Sequence, residues 1–315
     1  MISSLELARL CGVSQGTVDR ALHDRPGVSA GTRERVLAMA EQYGYRPNPA
    51  ARELITGQSG IVGAILPSVN NIFFMDLFND LAKRLRARNL RLQLAPVETK
   101  DEFLAVLDEF AARRHRMALI IPPEEGIAIP RLVSACLPVV SMLSPCRGKG
   151  IHFLSPDEEA VGRAAVQYLA HRGHRRIVHL TYLRQSYAIK ARAEGYASQA
   201  REMGLPSHTL AGVDRDSLAR VMEKHRPTAL FCHNDWLALT VSLLLSELGI
   251  RVPEDVSVLG VDNSPTLVAI NPRLTTLAYP VEALGSAVLD LLDGKAASLH
   301  GAQYPIMERE TVRSL

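Results

Sequence analysis

Aromatic side chains are scarce in this sequence, at 5 % with a single Trp, so its cores must rest mainly on aliphatic residues within a 47 % apolar content. No apolar run approaches the ~20 residues that span a bilayer. The N-terminus, Met1-Ile2-Ser3-Ser4-Leu5-Glu6, has neither a basic start nor an apolar stretch behind it and does not read as a signal peptide. Four cysteines, Cys11, Cys136, Cys146 and Cys232, lack CxxC spacing. That pattern favours reduced, buried thiols in a cytoplasmic protein.

Catalytic signatures are missing too. There is no GxGxxG, no Walker A, no GxSxG elbow and no HExxH. His233-Asn234-Asp235 has no nucleophile at a recognisable spacing. We therefore expect no enzyme and no cofactor. An excess of one charge sign is also lacking: the formal net charge is +3 over 315 residues. Residues 1–59 carry seven arginines, no lysine and six acids. No strongly basic segment announces nucleic-acid binding. Any DNA affinity must come from a few well-placed arginines and backbone amides, doubled in a dimer.

What the chain does have is a patterned N-terminus. Leu5, Leu7, Ala8 and Leu10 recur at helical spacing up to Gly12, which suits a left-handed helix end. Val13 follows as a buried plug, and Ser14 is placed to cap a second helix with Val18, Ala21 and Leu22 inward. A third helix starts after Ser29, carries Val36, Leu37 and Ala40 inward and ends near Gly44. Helix, Gly-containing turn and capped second helix is the spacing of a helix-turn-helix. Outward, the second helix shows Gln15, Gly16 and Arg20. Gln pairs bidentately with adenine and Arg with guanine in the major groove, and Gly16 permits close backbone approach. A three-helix interaction module facing only water is the alternative.

Leu7-Ala8-Arg9-Leu10-Cys11-Gly12-Val13-Ser14, Gly16-Thr17-Val18-Asp19-Arg20-Ala21-Leu22, Val28-Ser29, Thr32-Arg33-Glu34-Arg35-Val36-Leu37 and Gly44-Tyr45-Arg46-Pro47-Asn48 together resemble the DNA-binding headpiece of LacI/GalR-type transcription factors. The likeness runs on through Ala51-Arg52-Glu53-Leu54 and almost to the C-terminus. It implies a headpiece over 1–48 and a hinge helix and linker over 49–59. A hinge of this length is marginal alone. The resemblance implies that it lies in the minor groove, with Leu54 as a wedge that kinks the duplex. The expected DNA contacts are Ser14, Gln15, Gly16, Thr17, Arg20, Asn48, Ala51, Arg52 and Leu54. Asp19 and Glu53 depart from the family's commoner residues, and Asp19 is expected to brace Arg20 or a neighbour.

From Gly60 the pattern changes to apolar runs alternating with amphipathic helices: strands at 61–67, 91–95, 118–121 and 139–142, then a second series at 177–181, 229–232 and 256–261. Such alternation is a doubly wound parallel sheet. Two such sheets, with crossings near 154–157 and 277–280, resemble the two-lobed periplasmic-binding-protein fold. The expected body spans 60–315: lobe 1 over 60–156 and 280–300, lobe 2 over 157–279 and 301–315. The family resemblance picks out Phe73, Asp157, Arg192, Asn234 and Asp262 as effector-binding residues at the carboxyl ends of the strands. Carboxylates, an amide and a guanidinium around a part-apolar cleft suit vicinal hydroxyls, hence a sugar or polyol. Asp235 reads as a cap of the following helix. His171, His174 and His179 suggest a metal site, but they fall on the family's helix-to-strand turn, and no metal is expected.

The resemblance implies a homodimeric repressor of a carbohydrate-utilisation operon, binding double-stranded operator DNA and released by a small sugar-like effector. A purine- or nucleoside-responsive regulator is the alternative, since Phe73 could stack on a base. A solute-binding protein would share the body but has no use for the headpiece.

Overall fold

A computed structural model of the chain describes residues 2–46, 59–67, 71–184, 186–299 and 301–315. It divides into two compact units, Met1–Gln58 and Ser59–Leu315.

The first unit is a set of three short helices, each started by a serine. Helix α1 (Ser4–Cys11) opens on a capping box: Glu6 N donates to Ser3 Oγ at 3.2 Å and Ser3 N to Glu6 Oε2 at 2.7 Å. It closes at Gly12, whose φ of 61° lies in the left-handed region. Helix α2 (Gln15–Leu22) is capped by Ser14, which accepts from Thr17 N at 3.2 Å. Helix α3 (Ala30–Gln42) is capped by Ser29, which accepts from Thr32 N at 3.3 Å. Leu7, Ala8, Cys11, Val18, Ala21, Val36 and Ala40 form the shared core, with Val13 half-buried at its edge. Leu5, Leu10 and Leu37, expected inward, are exposed instead. At 100° per residue, Leu7, Ala8 and Cys11 share one stripe of α1, and Leu5 and Leu10 fall to either side of it.

The second unit is built on two parallel sheets. The first has strands β1 (Ile61–Leu66), β2 (Arg91–Pro96), β3 (Met117–Ile120), β4 (Val139–Met142) and β5 (Ile151–Leu154), in the order β2-β1-β3-β4-β5. The second has β6 (Ile177–Thr181), β7 (His208–Ala211), β8 (Ala229–Cys232), β9 (Ser257–Asp262), β10 (Thr275–Ala278) and β11 (Ile306–Met307), in the order β11-β10-β9-β8-β6-β7. Only β11 runs antiparallel to its neighbour. Three strands carried no legible signal. β5 and β7 are short sheet edges with two residues each that face solvent, His152 and Phe153 in the one and His208 and Thr209 in the other, and β10 is Thr-rich. The threonines of β10 are buried because their polar groups are satisfied: Thr275 N donates to Thr311 Oγ1 at 2.8 Å and Thr276 Oγ1 to Asp235 Oδ1 at 2.5 Å.

Nine helices of the second unit cover these sheets among the described residues: α4 (Ile72–Arg86), α5 (Lys100–Ala112), α6 (Arg131–Cys136), α7 (Glu158–His171), α8 (Tyr187–Glu202), α9 (Arg215–His225), α10 (Asp235–Glu247), α11 (Pro265–Ile270) and α12 (Val281–Leu292). The chain passes to the second sheet after β5 and returns after β10. There α12 packs on α4, held by Arg88–Asp293 at 2.7 Å and by Arg84 Nη1 donating to Ser286 Oγ at 3.3 Å. Helices α7 and α8 cross unusually closely. A Cβ on Gly162 would stand 2.2 Å from the Arg192 carbonyl oxygen, and one on Gly195 2.0 Å from that of Glu159. Of the four thiols, Cys11 and Cys232 are buried, but Cys146 is only half-buried and Cys136 is exposed.

Candidate functional site

A cavity of about 230 Å³ opens where strands of both sheets end at their carboxyl termini. The first sheet contributes Asn71, Ile72 and Phe73, directly behind β1. The second contributes Tyr182 behind β6, Asn234 and Trp236 behind β8, and Asp262 and Leu267 from the β9–α11 connection. Both strand orders reverse at these positions, and such a reversal opens a crevice beyond the strand ends.

Local chemistry fixes each lining group. Asn71 caps α4, its Oδ1 accepting from Phe73 N at 3.1 Å. The Phe73 ring stands edge-on against Tyr279, centroids 5.0 Å apart. Asn234 caps α10: its Oδ1 accepts from Leu237 N at 3.0 Å and from Tyr182 OH at 2.8 Å. Both lone-pair directions are taken, so the amide N–H groups are what Asn234 offers a ligand. Trp236 is half-exposed and forms wall. Asp262 ends β9 with φ 124° and is 9 % exposed. Burial, with the neighbouring Asp235 carboxylate, raises its carboxyl well above the usual range.

Asp235 does not cap the helix, contrary to expectation; Asn234 does. Asp235 turns inward instead, where its carboxylate also accepts from Ser264 N at 3.2 Å. Burial pushes its pKa up to about 6. A Cβ on Gly260 would stand 2.3 Å from its Oδ1, so glycine there makes room for the carboxylate.

Phe73, Asn234 and Asp262 of the expected effector set thus meet at the cavity. Arg192 and Asp157 do not line it. Arg192 is buried behind the wall. Its Nε donates to Glu158 Oε2 at 3.1 Å, its Nη2 donates to the same oxygen, and its Nη1 donates to the His233 carbonyl. The other Glu158 oxygen accepts from Tyr279 OH at 2.6 Å. Asp157 lies on the surface as the cap of α7, accepting from Ala160 N at 2.9 Å and pairing with Arg163 at 3.3 Å. A carboxylate at a helix start is drawn to the free N–H groups of the first turn, which turns Asp157 away from the cavity. Asn71, Ile72, Tyr182 and Leu267 were missed. Tyr182 and Asn71 follow strands, and that position alone was the signal.

In the first unit Ser14, Gln15, Gly16 and Arg20 are exposed and Thr17 is half-buried. The Arg20 side chain lies over two glycines: a Cβ would stand 3.7 Å from its guanidinium at Gly16 and 3.9 Å at Gly27. Asp19 binds Arg25 at 2.9 Å and His23 at 3.1 Å, so it braces neighbours other than Arg20. Asn48, Ala51, Arg52 and Leu54, with the expected hinge helix, lie outside the described residues. His174 is tied to Thr228 Oγ1 at 3.1 Å and to the Arg313 carbonyl at 3.0 Å. His179, on β6, is buried with its ring stacked on Phe231, and burial lowers its pKa to about 4. Among the described residues no group of three or more His, Cys, Asp or Glu could hold a metal ion, and no helix is long and apolar enough to cross a membrane.

A helix-turn-helix unit ahead of a two-sheet body with a small-molecule-sized cleft defines the class of ligand-responsive DNA-binding regulators. Comparison with known proteins supports the DNA-binding unit and the fold of the body. Residues 5–48 match the family of bacterial regulatory proteins of the lacI type, and residues 166–313 match the periplasmic binding protein-like domain. Catabolite control protein A of Priestia megaterium is 29 % identical over 307 residues, 92 % of this chain and 91 % of that protein. The Lac repressor dimer bound to operator and the anti-inducer ONPF superposes with a TM-score of 0.78 at 22 % identity, covering 99 % of both chains. A complex of the regulator CelR with cellobiose gives 0.66 at 23 % identity, over 99 % of this chain and 100 % of that one. The chain thus joins a LacI-family DNA-binding domain to a periplasmic-binding-protein-like domain, and its relatives are LacI-type transcriptional regulators.

Proposed function

We propose that this protein is a homodimeric, cytoplasmic repressor of a carbohydrate-utilisation operon, released from its operator by a sugar or polyol in the cleft. One observation carries the effector half: the cleft joins a buried carboxyl, amide donors and a tyrosine hydroxyl to aromatic and aliphatic walls. Vicinal hydroxyls need both kinds of partner, and a sugar's C–H faces need the walls. The cellobiose bound to CelR supports the same reading. We assign the chain no catalytic activity. Residues 1–48 act as reader, 49–59 as hinge, and 60–315 as effector-binding and dimerising body, with lobes at 60–156 plus 280–300 and 157–279 plus 301–315.

In the dimer two α2 helices enter successive major grooves, with Gln15 and Arg20 toward base edges and Ser14 and Thr17 toward phosphates. Asn48, Ala51, Arg52 and Leu54 then act at the minor groove. The effector lowers operator affinity only by as much as it prefers the dimer arrangement that does not fit DNA.

A thermal-shift panel of sugars, polyols and nucleosides, followed by mobility shift on the protein's own upstream DNA with and without the best stabiliser, tests the proposal. A sugar or polyol that raises Tm and releases the DNA is the expected outcome. Stabilisation by nucleosides alone would replace the sugar, and indifference to every duplex would remove the repressor.

A further inference from the structure

We propose that the cleft rejects anionic effectors, and that Glu158 sets this selection by holding the Arg192 guanidinium behind the cleft wall. The effector is then an uncharged polyhydroxylated molecule that carries neither carboxylate nor phosphate. The inference rests on the polyol reading of the cleft given above.

Among the described lining residues none is a lysine or arginine, and the one carboxylic acid is Asp262. The cation behind the wall is already neutralised. Arg192 is 3 % exposed and Glu158 2 %, and two of the three guanidinium nitrogens of Arg192 are spent on Glu158 and the third on the His233 carbonyl. Tyr279 OH, donating to the second carboxylate oxygen, fixes Glu158 in place. The close α7–α8 crossing at Gly162 and Gly195 brings the two side chains together. A buried ion pair so arranged presents little net charge to its surroundings. The imidazoles beside it add none: burial and the Arg192 charge push His233 well down, and burial keeps His179 neutral. Lys190, on the same helix as Arg192, is held by Glu125 at 3.2 Å. Arg309 donates to Asn263 Oδ1 at 2.8 Å and to the Leu274 carbonyl at 2.6 Å.

An entering phosphate or carboxylate would give up its water, find no free cation and face Asp262. A hydroxyl finds an acceptor in Asp262 and donors in the amide of Asn234. Selection by an absent counter-charge works through the penalty on the wrong ligand rather than extra attraction for the right one.

Full-length protein titrated calorimetrically with matched ligands tests this: glucose against glucuronate and glucose 6-phosphate, ribose against ribose 5-phosphate, and the corresponding series for whichever sugar the thermal panel selects. The neutral member should bind and its anionic counterparts should bind at least about tenfold more weakly, as expected when an anion loses its water and gains no counter-charge. In Glu158→Gln, which frees the Arg192 charge but keeps an acceptor for it, that gap should shrink. An anionic member that binds the wild-type protein as tightly as its neutral counterpart overturns the inference while leaving the polyol reading intact. No binding by any member, neutral or charged, overturns the polyol reading and the inference with it. An unchanged gap in a folded Glu158→Gln protein overturns the role of Glu158. Should that variant not fold, Glu158→Asp, which keeps the charge but shortens the reach, must narrow the gap, and the wild-type pairs still decide whether anions are rejected.

Discussion

The two units of this chain differ in the charge pair that each holds most deeply. In the headpiece the ion pairs sit in water: the Asp19 and Arg25 side chains are 46 % and 49 % exposed, and Asp24, paired with Arg33, is 83 % exposed. In the body the Glu158 and Arg192 side chains are 1 % and 4 % exposed. Pairs of the first kind contribute little to stability, about 0–1 kcal/mol, and leave the charge available to a partner. A pair of the second kind is costly to break, because the group left behind has neither water nor a counter-ion. A unit that meets a charged polymer needs cations at its surface. A unit that encloses a small molecule needs charges cancelled inside it. On the proposed function arginine serves both ends, exposed as Arg20 and buried as Arg192.

Several changes would break or sharpen that contrast. Arg192→Met should have the largest effect, since it strands the Glu158 carboxylate: about 3–5 kcal/mol should be lost from the body. Urea unfolding at neutral pH measures it, and a loss within error of zero would mean that water reaches the pair.

The next effect concerns pH. The folded pKa of Asp235 is raised to about 6 by burial from the ordinary 3.8. Between those values the folded chain keeps a proton that the unfolded chain has released. Asp235 therefore adds a stability component that falls as pH rises from about 4 to about 6, by up to about 1.4 kcal/mol per pH unit. Asp235→Asn should flatten unfolding free energy across that window relative to the wild type; parallel curves would show that this carboxyl does not titrate there.

On the headpiece side, Arg20→Ala should leave unfolding unchanged and cost about 1–3 kcal/mol of discrimination between operator and a variant operator. Fluorescence anisotropy on both duplexes reads it, and unchanged discrimination would move the base contact elsewhere on α2. Smallest is Ser14→Ala. It removes the cap of α2 and should lower headpiece stability by about 1 kcal/mol, seen as faster amide exchange at Thr17 and Val18.

The headpiece was almost wholly legible, because its signals are local. Ser3, Ser14 and Ser29 cap the helices that follow them, and Gly12 takes the positive φ that ends α1. In the body, the buried strands β1, β4, β6 and β8 announced themselves as apolar runs, since a parallel strand covered on both faces has no polar side. The edges β5 and β7 did not, and β10 hides its polar residues in hydrogen bonds to chain segments far away in sequence. The cleft was legible in part. Phe73, Asn234 and Asp262 follow strands that converge, but Asp157 was misplaced because helix capping and cleft lining draw on the same residue types. Nothing in the spacing of Asn234 and Asp235 shows which of them caps α10.

By itself the sequence determined the order of elements, the headpiece with its caps and outward-facing Gln15 and Arg20, and the kind of body that follows. Those depend on neighbours within a turn or two, where propensity, capping and hydrophobic period act. Only the tertiary structure decided that Glu158 closes on Arg192 and that Asp235 turns inward to Thr276. Each of those contacts joins residues more than thirty positions apart. A buried charge is settled by whatever partner the folded chain brings within reach, and no local pattern records that partner.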